Sequence, residues 1–555
     1  MKLDVVSTNR SLQIHPADNV LVALSDLPRG TAEMYGNGRI ELLSDVPAKH
    51  KFATKDIAVG DPIVMYGILV GRATRSIRAG EVITTENVRH DASIVARRTQ
   101  NFSWTRPDVS QWRTRTFQGY QREDGQVGTR NYWIVLPLVF CENRNVDAIR
   151  QAFVEGLGFA PPPKYRAMVT QMLELYRQGR VAEIPTVEVA EVARTSKPTS
   201  ELENVDGIKF LTHQGGCGGT REDARALCGL LADYIHHPNV AGATVLSLGC
   251  QHAQVEILRE ELGRRDSRSA KPVFVVEQQA AGTEERLMAD AIKKTFMGLV
   301  EANRAQRSAA PLAGLTVGLK CGGSDGFSGI SANPTLGYLA DKLAALGGRT
   351  ILSEFPELCG VEQELVDRCV SDEVADRFLS LMKTYQSRAK AVGSGFDMNP
   401  SPGNIRDGLI TDAMKSAGAA KKGGSSPVTA VLDYPEYATA PGLNLLCTPG
   451  NDVESVTGQV GAGASVVLFT TGLGTPTGNP IAPVIKISTN SALAQRMGDI
   501  VDFDCGPIIS GKVSPEQMSD QLLRLMIDIA SGVKKTKAEL LGQDDFIPWK
   551  RGVSL

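Results

Sequence analysis

The densest run of chemically able side chains is Cys321-Gly322-Gly323-Ser324-Asp325-Gly326-Phe327-Ser328-Gly329-Ile330-Ser331-Ala332-Asn333-Pro334. Its glycines let backbone N–H groups approach a carboxylate or phosphate, while Ser324, Asp325, Ser328 and Asn333 add side-chain donors and acceptors. The same composition also suits an irregular turn packed for shape. The spacing is neither that of a Gly-x-x-x-x-Gly-Lys phosphate loop nor that of a Gly-x-Gly-x-x-Gly fingerprint, so no nucleotide cofactor is expected. Two earlier clusters echo it: His213-Gln214-Gly215-Gly216-Cys217-Gly218-Gly219 and Leu248-Gly249-Cys250-Gln251-His252. Each puts a Cys or a His just past an apolar run. Cys217 and Cys250 read equally well as small side chains beside tight turns, and His213 as a hydrogen-bonded structural imidazole.

Further candidates lie in shorter strings. His15-Pro16-Ala17-Asp18-Asn19 and Lys49-His50-Lys51 offer imidazole and carboxylate donors of the kind Fe(II), Mn(II) or Zn(II) accepts, or two surface histidines on β-turns. Glu354-Phe355-Pro356-Glu357 ends an apolar run with two carboxylates, suited to proton transfer, metal support or helix capping. Thr470-Thr471-Gly472-Leu473-Gly474-Thr475-Pro476 and Lys486 make another anion-friendly region, with Lys486 open to a plainer reading as a solvated strand charge.

These strings need a framework that brings distant loops together. From Phe117 onward, buried-strand runs alternate with helical spacing: 132–140, 207–212, 243–248 and 273–277 read as strands, 165–179 and 222–234 as helices. A second series begins at Leu315, with strands expected at 316–319, 350–354, 428–433, 443–447 and 465–470, and helices at 335–346, 363–384 and 514–531. Such alternation is the mark of parallel α/β layers, whose ligands bind at the carboxyl ends of the strands. The polar, Ala-rich stretch 302–313 separates the two series, and the Gly- and Pro-punctuated stretch 391–404 is expected to form a functional loop or lid. The first 90 residues differ: short β-patterned runs alternate with turn clusters, and Ile57-Ala58-Val59-Gly60-Asp61 and Ile77-Arg78-Ala79-Gly80-Glu81 repeat one phrase. This resembles a folded-over β unit of the SAF (β-clip) type. The expected architecture is therefore α/β, with a small SAF-like all-β domain over 1–92, a linker over 93–116, and two α/β domains with mainly parallel sheets over 117–310 and 311–555.

Composition bounds the function. The 555 residues carry 60 Lys+Arg against 62 Asp+Glu, a formal charge of -2, with 42% hydrophobic residues. That balance implies neither disorder nor a general nucleic-acid-binding field. No apolar run is long enough to cross a bilayer and the start shows no signal-peptide pattern, so a cytoplasmic protein is expected. Nine cysteines, an odd number without a Cys-x-x-Cys pair, read as reduced thiols rather than as a disulfide or zinc framework. An iron–sulfur cluster is not expected from spacing, because Cys141, Cys217, Cys250 and Cys321 would converge only if separate strand ends met.

Taken together, 119–131 (Gly-Tyr-Gln-Arg-Glu-Asp-Gly-Gln-Val-Gly-Thr-Arg-Asn), the 213–218 cluster, His237-Pro238-Asn239-Val240, Leu248-Gly249-Cys250, 321–334, Ser353-Glu354, Asn399-Pro400-Ser401-Pro402-Gly403-Asn404 and Thr470-Thr471-Gly472 resemble the altronate dehydratase and galactarate dehydratase family over nearly the whole chain. The resemblance implies removal of water from a sugar acid: loss of the C2 proton and the C3 hydroxyl gives an enol that becomes a 2-keto-3-deoxy acid, which for D-altronate is 2-dehydro-3-deoxy-D-gluconate of hexuronate breakdown. It also implies a divalent metal, Fe(II) or alternatively Mn(II), in keeping with the need to stabilise an enediolate. Carried over by position, His15 and His50 are the expected metal residues. Asp325, His213, Glu354 and Glu357 are the expected catalytic groups, with Asp325 or His213 as base. Arg130, Asn131, Ser324, Asn333, Asn404 and Lys486 are the expected substrate contacts. The expected partners are a small sugar acid and further copies of the chain, with no nucleic acid and no membrane.

Two positions depart from the family pattern. Gln251 stands where Glu is common, and Leu473 where Arg is common. Loss of that guanidinium tilts the expectation from the dicarboxylate galactarate toward the monocarboxylate altronate. The alternatives are a galactarate or sulfolactate-type lyase, and a sugar-acid binder without catalysis.

Overall fold

The computed structural model describes residues 6–8, 10–36, 38–93, 95–99, 102–159, 164–190, 200–265 and 271–554. Met1 to Val5, the opening of the stretch read for a leader, lie outside them.

The N-terminal unit is all β. Strands Val6–Thr8, Ser11–Gln13, Val20–Ala23 and Lys51–Ala53 form one antiparallel sheet, Pro62–Met65, Ile68–Ala73 and Val88–Arg89 another, and Ala32–Tyr35 with Gly38–Glu41 a hairpin. The repeated phrases have a structural reason: Ile57 and Ile77 are buried and exchange both backbone hydrogen bonds, at 2.8 and 2.9 Å. Each turn glycine then lets the chain fold back over its twin. Val82 adds a bridge to Phe52.

Beyond it the chain crosses the C-terminal body, where Ala96 donates to Gln363 Oε1 at 2.7 Å and Arg98 pairs with Asp372 at 2.7 Å. A three-stranded antiparallel sheet then joins Thr116–Gln121 to Val127–Gly128 and Arg307–Pro311. The stretch 302–313 that separates the two series thus contributes a strand that pairs the end of the second unit with its beginning.

That unit is built on four parallel strands in the order Gly207–Phe210, Tyr132–Pro137, Val240–Ser247, Val273–Glu277. Tyr132–Pro137 is buried throughout, as an unbroken apolar run between helix layers must be. Helix Arg221–His236 starts where the Thr220 side chain accepts from Asp223 N–H.

The C-terminal unit holds seven parallel strands in the order Val428–Leu432, Gly442–Leu446, Arg349–Ser353, Thr316–Cys321, Val466–Thr471, Val484–Ser488, Phe503–Asp504. From the central Thr316–Cys321 the sheet grows first to one side, at Arg349–Ser353, and later to the other, at Val466–Thr471. A crevice therefore opens at the carboxyl end of Thr316–Cys321, the topological switch point where ligands of such sheets bind. The helix expected over 363–384 is two helices, Glu362–Asp367 and Asp372–Ala391. Cys369 bridges to Val428 between them, and Ser371 caps the second by accepting from Val374 N–H.

One apolar cluster runs from Leu12, Val20 and Tyr66 of the β unit into Leu319, Phe355 and Met414, and another joins Leu136 and Tyr234 to Val460 and Phe469. Shared cores of this kind fix the three units against each other. Among the described residues no helix is long and apolar enough to cross a membrane.

Candidate active site

The central strand Thr316–Cys321 ends in Lys320 and Cys321, both buried. Beside it, Arg349–Ser353 runs into Glu354, whose φ of 72° is left-handed, a rare conformation for a residue with a β-carbon and one that concentrates at functional sites. Thr448 holds the strained residue by accepting from Glu354 N–H at 3.0 Å. The following turn Phe355–Leu358 brings Glu357 back, so that one donor atom each from Cys321, Glu354 and Glu357 lie within 4.8 Å of one another. The Cys321 thiol donates to Glu357 Oε2 at 3.3 Å.

Lysines surround this acidic group. Lys320 pairs with Glu354 and, at 2.8 Å, with Asp452. Lys415 lies 2.9 Å from Glu357, and Lys422 lies 2.7 Å from Cys321 Sγ and 3.8 Å from Glu354 Oε2. Lys415 and Lys422 come from the Ala- and Gly-rich helix Asp412–Ala420 and the turn Lys421–Gly423, whose small side chains permit the approach.

Burial, and then Glu357, push the Glu354 carboxyl above the usual carboxylate range. Burial acts the same way on Glu357, but Lys415, Lys422 and Lys320 outweigh it and hold that carboxyl below the range. Burial would also strip Lys422 of its proton, yet Cys321, Glu354 and Glu357 raise its pKa instead. Two neighbouring carboxylates are thus driven apart, the pattern that separates an ionised group from a proton carrier.

A second polar group adjoins the first. Asp325 is buried and accepts from Ser328 Oγ at 3.0 Å, Phe327 N–H at 3.2 Å and Thr489 Oγ1 at 3.0 Å. Lys49 of the β unit reaches across to it at 3.1 Å and to Asp407 at 2.7 Å. Lys51 donates to Gly408 O at 2.6 Å, and burial brings its pKa down to about 7. Gly472 is required here, because a β-carbon would stand 2.2 Å from the Asp325 carboxyl carbon.

Of the residues singled out from sequence, the structure brings together Glu354, Glu357, Asp325, Ser324, Asn333 and Asn404. Asn404 donates to Ser324 O at 2.8 Å and faces Lys415 at 3.4 Å, linking the two polar groups. Asn333 donates to Gly418 O at 2.9 Å and accepts from Thr470 Oγ1 at 2.7 Å, tying the lysine-bearing helix to the sheet.

Others are placed apart. Arg130 and Asn131 precede the strand Tyr132–Pro137 and so occupy its amino end, opposite the end that binds ligands. Arg130 is spent on Glu539, at 2.7 Å, and on the Ile529 carbonyl, while Asn131 donates to Asn204 O and Ala302 O. They lock chain segments together rather than hold a substrate carboxylate. His213 donates from one ring nitrogen to Pro137 O at 2.8 Å and accepts Gly215 N–H on the other. Burial depresses its pKa to about 4, and both ring nitrogens are engaged by these backbone contacts. Lys486 is neither solvated nor a substrate contact: it is buried over the Phe469 ring and donates to Thr477 O.

The two N-terminal histidines take up separate local contacts. His15 Nδ1 accepts from Ala17 N–H, and His50 Nδ1 faces Ala48 O. Among the described residues, no set of three metal-type donors gathers at either one. The donor chemistry of Cys321, Glu354 and Glu357 instead fits a divalent transition metal. Glu354 Oε2 is buried without a hydrogen-bond partner, open to a proton or a cation.

Sequence reasoning gave no role to Lys320, Lys415, Lys422 or Lys49, and took Cys321 as the start of a glycine-rich turn and as an unexpected cluster ligand. The available signal was a lysine inside an otherwise apolar strand, Thr-Val-Gly-Leu-Lys-Cys, and three more, Lys415, Lys421 and Lys422, in the run of small residues at 412–424.

Three family models match in succession: "Altronate/galactarate dehydratase SAF domain" over residues 9–91, "D-galactarate dehydratase/Altronate hydrolase, second domain" over 119–303, and "D-galactarate/Altronate dehydratase, C-terminal" over 312–554. The chain is 34% identical to an altronate dehydratase of Escherichia coli (strain K12), covering 98% of this chain and 99% of that one. It is also 34% identical to an altronate dehydratase of Bacillus subtilis (strain 168), covering 94% and 95%. To a galactarate dehydratase (L-threo-forming) of Escherichia coli (strain K12) it is 30% identical, covering 96% and 94%.

Proposed function

The chain belongs to the altronate and galactarate dehydratase family, hydro-lyases of sugar acids, and from that premise we propose that it dehydrates D-altronate to 2-dehydro-3-deoxy-D-gluconate. The observation that carries the reading is the buried convergence of Cys321, Glu354 and Glu357 with Lys320, Lys415 and Lys422 at the switch point of the seven-stranded sheet. A hydrogen beside a carboxylate is a very weak acid, so its removal requires fixed positive charge where the enediolate forms.

Cys321 and Glu357, with Glu354 at their edge, would hold Fe(II) or Mn(II). Bound there, the cation supplies Lewis-acid stabilisation of the developing negative charge. Glu354 takes the C2 proton on Oε2, while Lys320 fixes its other oxygen. The ammonium of Lys415 faces the growing enediolate. Lys422 gives a proton from Nζ to the departing C3 hydroxyl, which leaves as water, and the resulting enol tautomerises to the 2-keto acid. Ser324 and Asn404 hold substrate hydroxyls. Asp325 anchors Lys49, closing the β unit over the site.

Leu473 supports altronate over galactarate. Its N–H donates to Gly323 O at 3.0 Å, placing an apolar side chain at the rim of the glycine-rich loop, where an Arg could meet a second carboxylate. Protein loaded anaerobically with Fe(II) or Mn(II) is offered altronate and galactarate side by side, with the keto-deoxy product measured by thiobarbiturate. Faster turnover of altronate is expected, with Leu473→Arg shifting the ratio toward galactarate. Faster turnover of galactarate by the unaltered chain overturns the substrate assignment.

A further inference from the structure

We propose that Cys141, Cys217 and Cys250 hold a four-iron, four-sulfur cubane cluster at the carboxyl ends of the four-stranded sheet, a site separate from the Cys321 group. Cysteine is among the most buried residue types. Six of the nine here, including Cys321, are buried or half-buried, and the exposed three are Cys141, Cys217 and Cys250. Those three follow three adjacent strands: Tyr132–Pro137 leads to Cys141, and its parallel neighbours Gly207–Phe210 and Val240–Ser247 lead to Cys217 and Cys250.

The loops that bear them are fastened to each other. Phe140 N–H, next to Cys141, donates to Gly215 O at 3.0 Å. His252 and Ala253 N–H, just past Cys250, both donate to Gly216 O, at 2.9 and 3.0 Å, and Gly216 adjoins Cys217. Gly216 has a φ of +99°, and a β-carbon on it would stand 2.1 Å from Leu138 O, so only glycine lets the strands' loops close up. Sequence spacing showed no such grouping, because the three cysteines are brought together by the sheet and not by the chain.

The sulfurs stand wider apart than a single zinc would hold them. A single tetrahedral zinc would need thiolates roughly 3.8 Å apart, from bonds of about 2.3 Å. The three sulfurs do not close to within 4.8 Å of one another, as the donors around Cys321 do. A cluster whose irons are each ligated by a different thiolate bridges a wider gap, and glycine-rich loops offer backbone N–H groups to its sulfides. Three thiolates leave one iron without a protein ligand. Cys217, His213, His252 and Lys550 line an adjoining cleft of about 530 Å³, from which a hydroxyl or carboxylate oxygen could reach that iron.

The test uses the full chain, purified anaerobically and reconstituted with ferrous iron and sulfide. Bound acid-labile sulfide, broad visible absorbance and an electron paramagnetic resonance signal after reduction are expected. Cys141→Ser, Cys217→Ser and Cys250→Ser are each expected to lose most of the sulfide while melting close to the unaltered protein. Cys359→Ser and Cys321→Ser should keep it. A mononuclear iron at Cys321 carries no sulfide, so sulfide content separates this proposal from the reaction assigned above. Absence of bound sulfide, zinc in its place, retention of sulfide by all three serine variants, or its loss in Cys321→Ser overturns the assignment.

Discussion

Lys422 sets its ammonium 2.7 Å from the sulfur of Cys321, and both side chains are buried. Burial, with Glu357 adding to it, pushes the Cys321 thiol up to about 11, against the pull of Lys422. The ammonium is thus the counter-charge of a group that also includes Glu354. Removing it leaves buried anions uncompensated, which costs about 3–5 kcal/mol when one partner of such a pair is deleted. Lys422→Met is expected to lower the melting temperature and to cut altronate turnover at least about a hundredfold, within the range for losing an acid catalyst. Turnover close to that of the unaltered chain would remove Lys422 from the mechanism.

Metal dependence should follow the Cys321 group and not the N-terminal histidines. Chelation is expected to abolish turnover, and Fe(II) or Mn(II) to restore it. Cys321→Ser and Glu357→Gln should each weaken metal binding, measured by equilibrium dialysis, at least about tenfold, since even outer partners of metal ligands cost 10–100-fold. His15→Gln and His50→Gln should leave it within about twofold, because among the described residues neither imidazole belongs to a three-donor set. The reverse pattern would return the metal to the β unit.

The layers were legible because burial imposes periodicity: the run Tyr-Trp-Ile-Val-Leu-Pro at 132–137 has no polar residue to misplace, and it is a fully buried strand. The carboxylates at Glu354 and Glu357 were legible because they end such a run. The partner of Arg130 was not legible: a guanidinium beside a Gly-Thr turn has the chemistry of a carboxylate clamp, and only the fold shows that Glu539, more than 400 residues later, pairs with it. Lys415 and Lys422 were hidden for the opposite reason. A lysine is ordinarily a surface residue, and its burial here is decided by Glu354, Glu357 and Cys321 on two other segments, which no local pattern encodes.

Asp325 and Lys49 join the β unit to the C-terminal body, at 3.1 Å. Asp325→Asn keeps the shape but sets an amide where Ser328, Thr489 and Lys49 all donate, so at least one donor is left facing another. A mismatch of this kind costs roughly 1–3 kcal/mol, or more where a charge is involved. Limited proteolysis should cut Asp325→Asn faster than the unaltered chain within residues 92–115, the stretch held against the C-terminal body by Arg98 and Asp372. Lys49→Met should show a smaller change, since that lysine remains partly exposed and Asp325 retains its three other donors. Equal cleavage rates in all three proteins would mean that the contact does not hold the unit in place.

His237 sets the acid limit of the junction between the two α/β units. It is buried, donates from Nε2 to Ala464 O at 3.2 Å and accepts Asn239 N–H on Nδ1 at 3.1 Å, an arrangement that only the neutral ring satisfies. Burial, and then Lys271, depress its pKa to about 3. The unfolded chain takes up this proton near pH 6.5 and the folded chain refuses it until about pH 3, so the unfolded state binds more protons throughout that window. The stability contributed by His237 is therefore complete above about pH 6.5 and falls as the pH drops, by roughly 2 kcal/mol at pH 5, from 1.36 kcal/mol per pH unit. His213, depressed to about 4, acts in the same direction over the upper part of the window. Denaturant melts at pH 7 and pH 5 should show a loss of stability in the unaltered chain that shrinks by about that amount in His237→Gln, which has no proton to gain. An unchanged pH slope in the variant would show that His237 does not titrate in the unfolding transition.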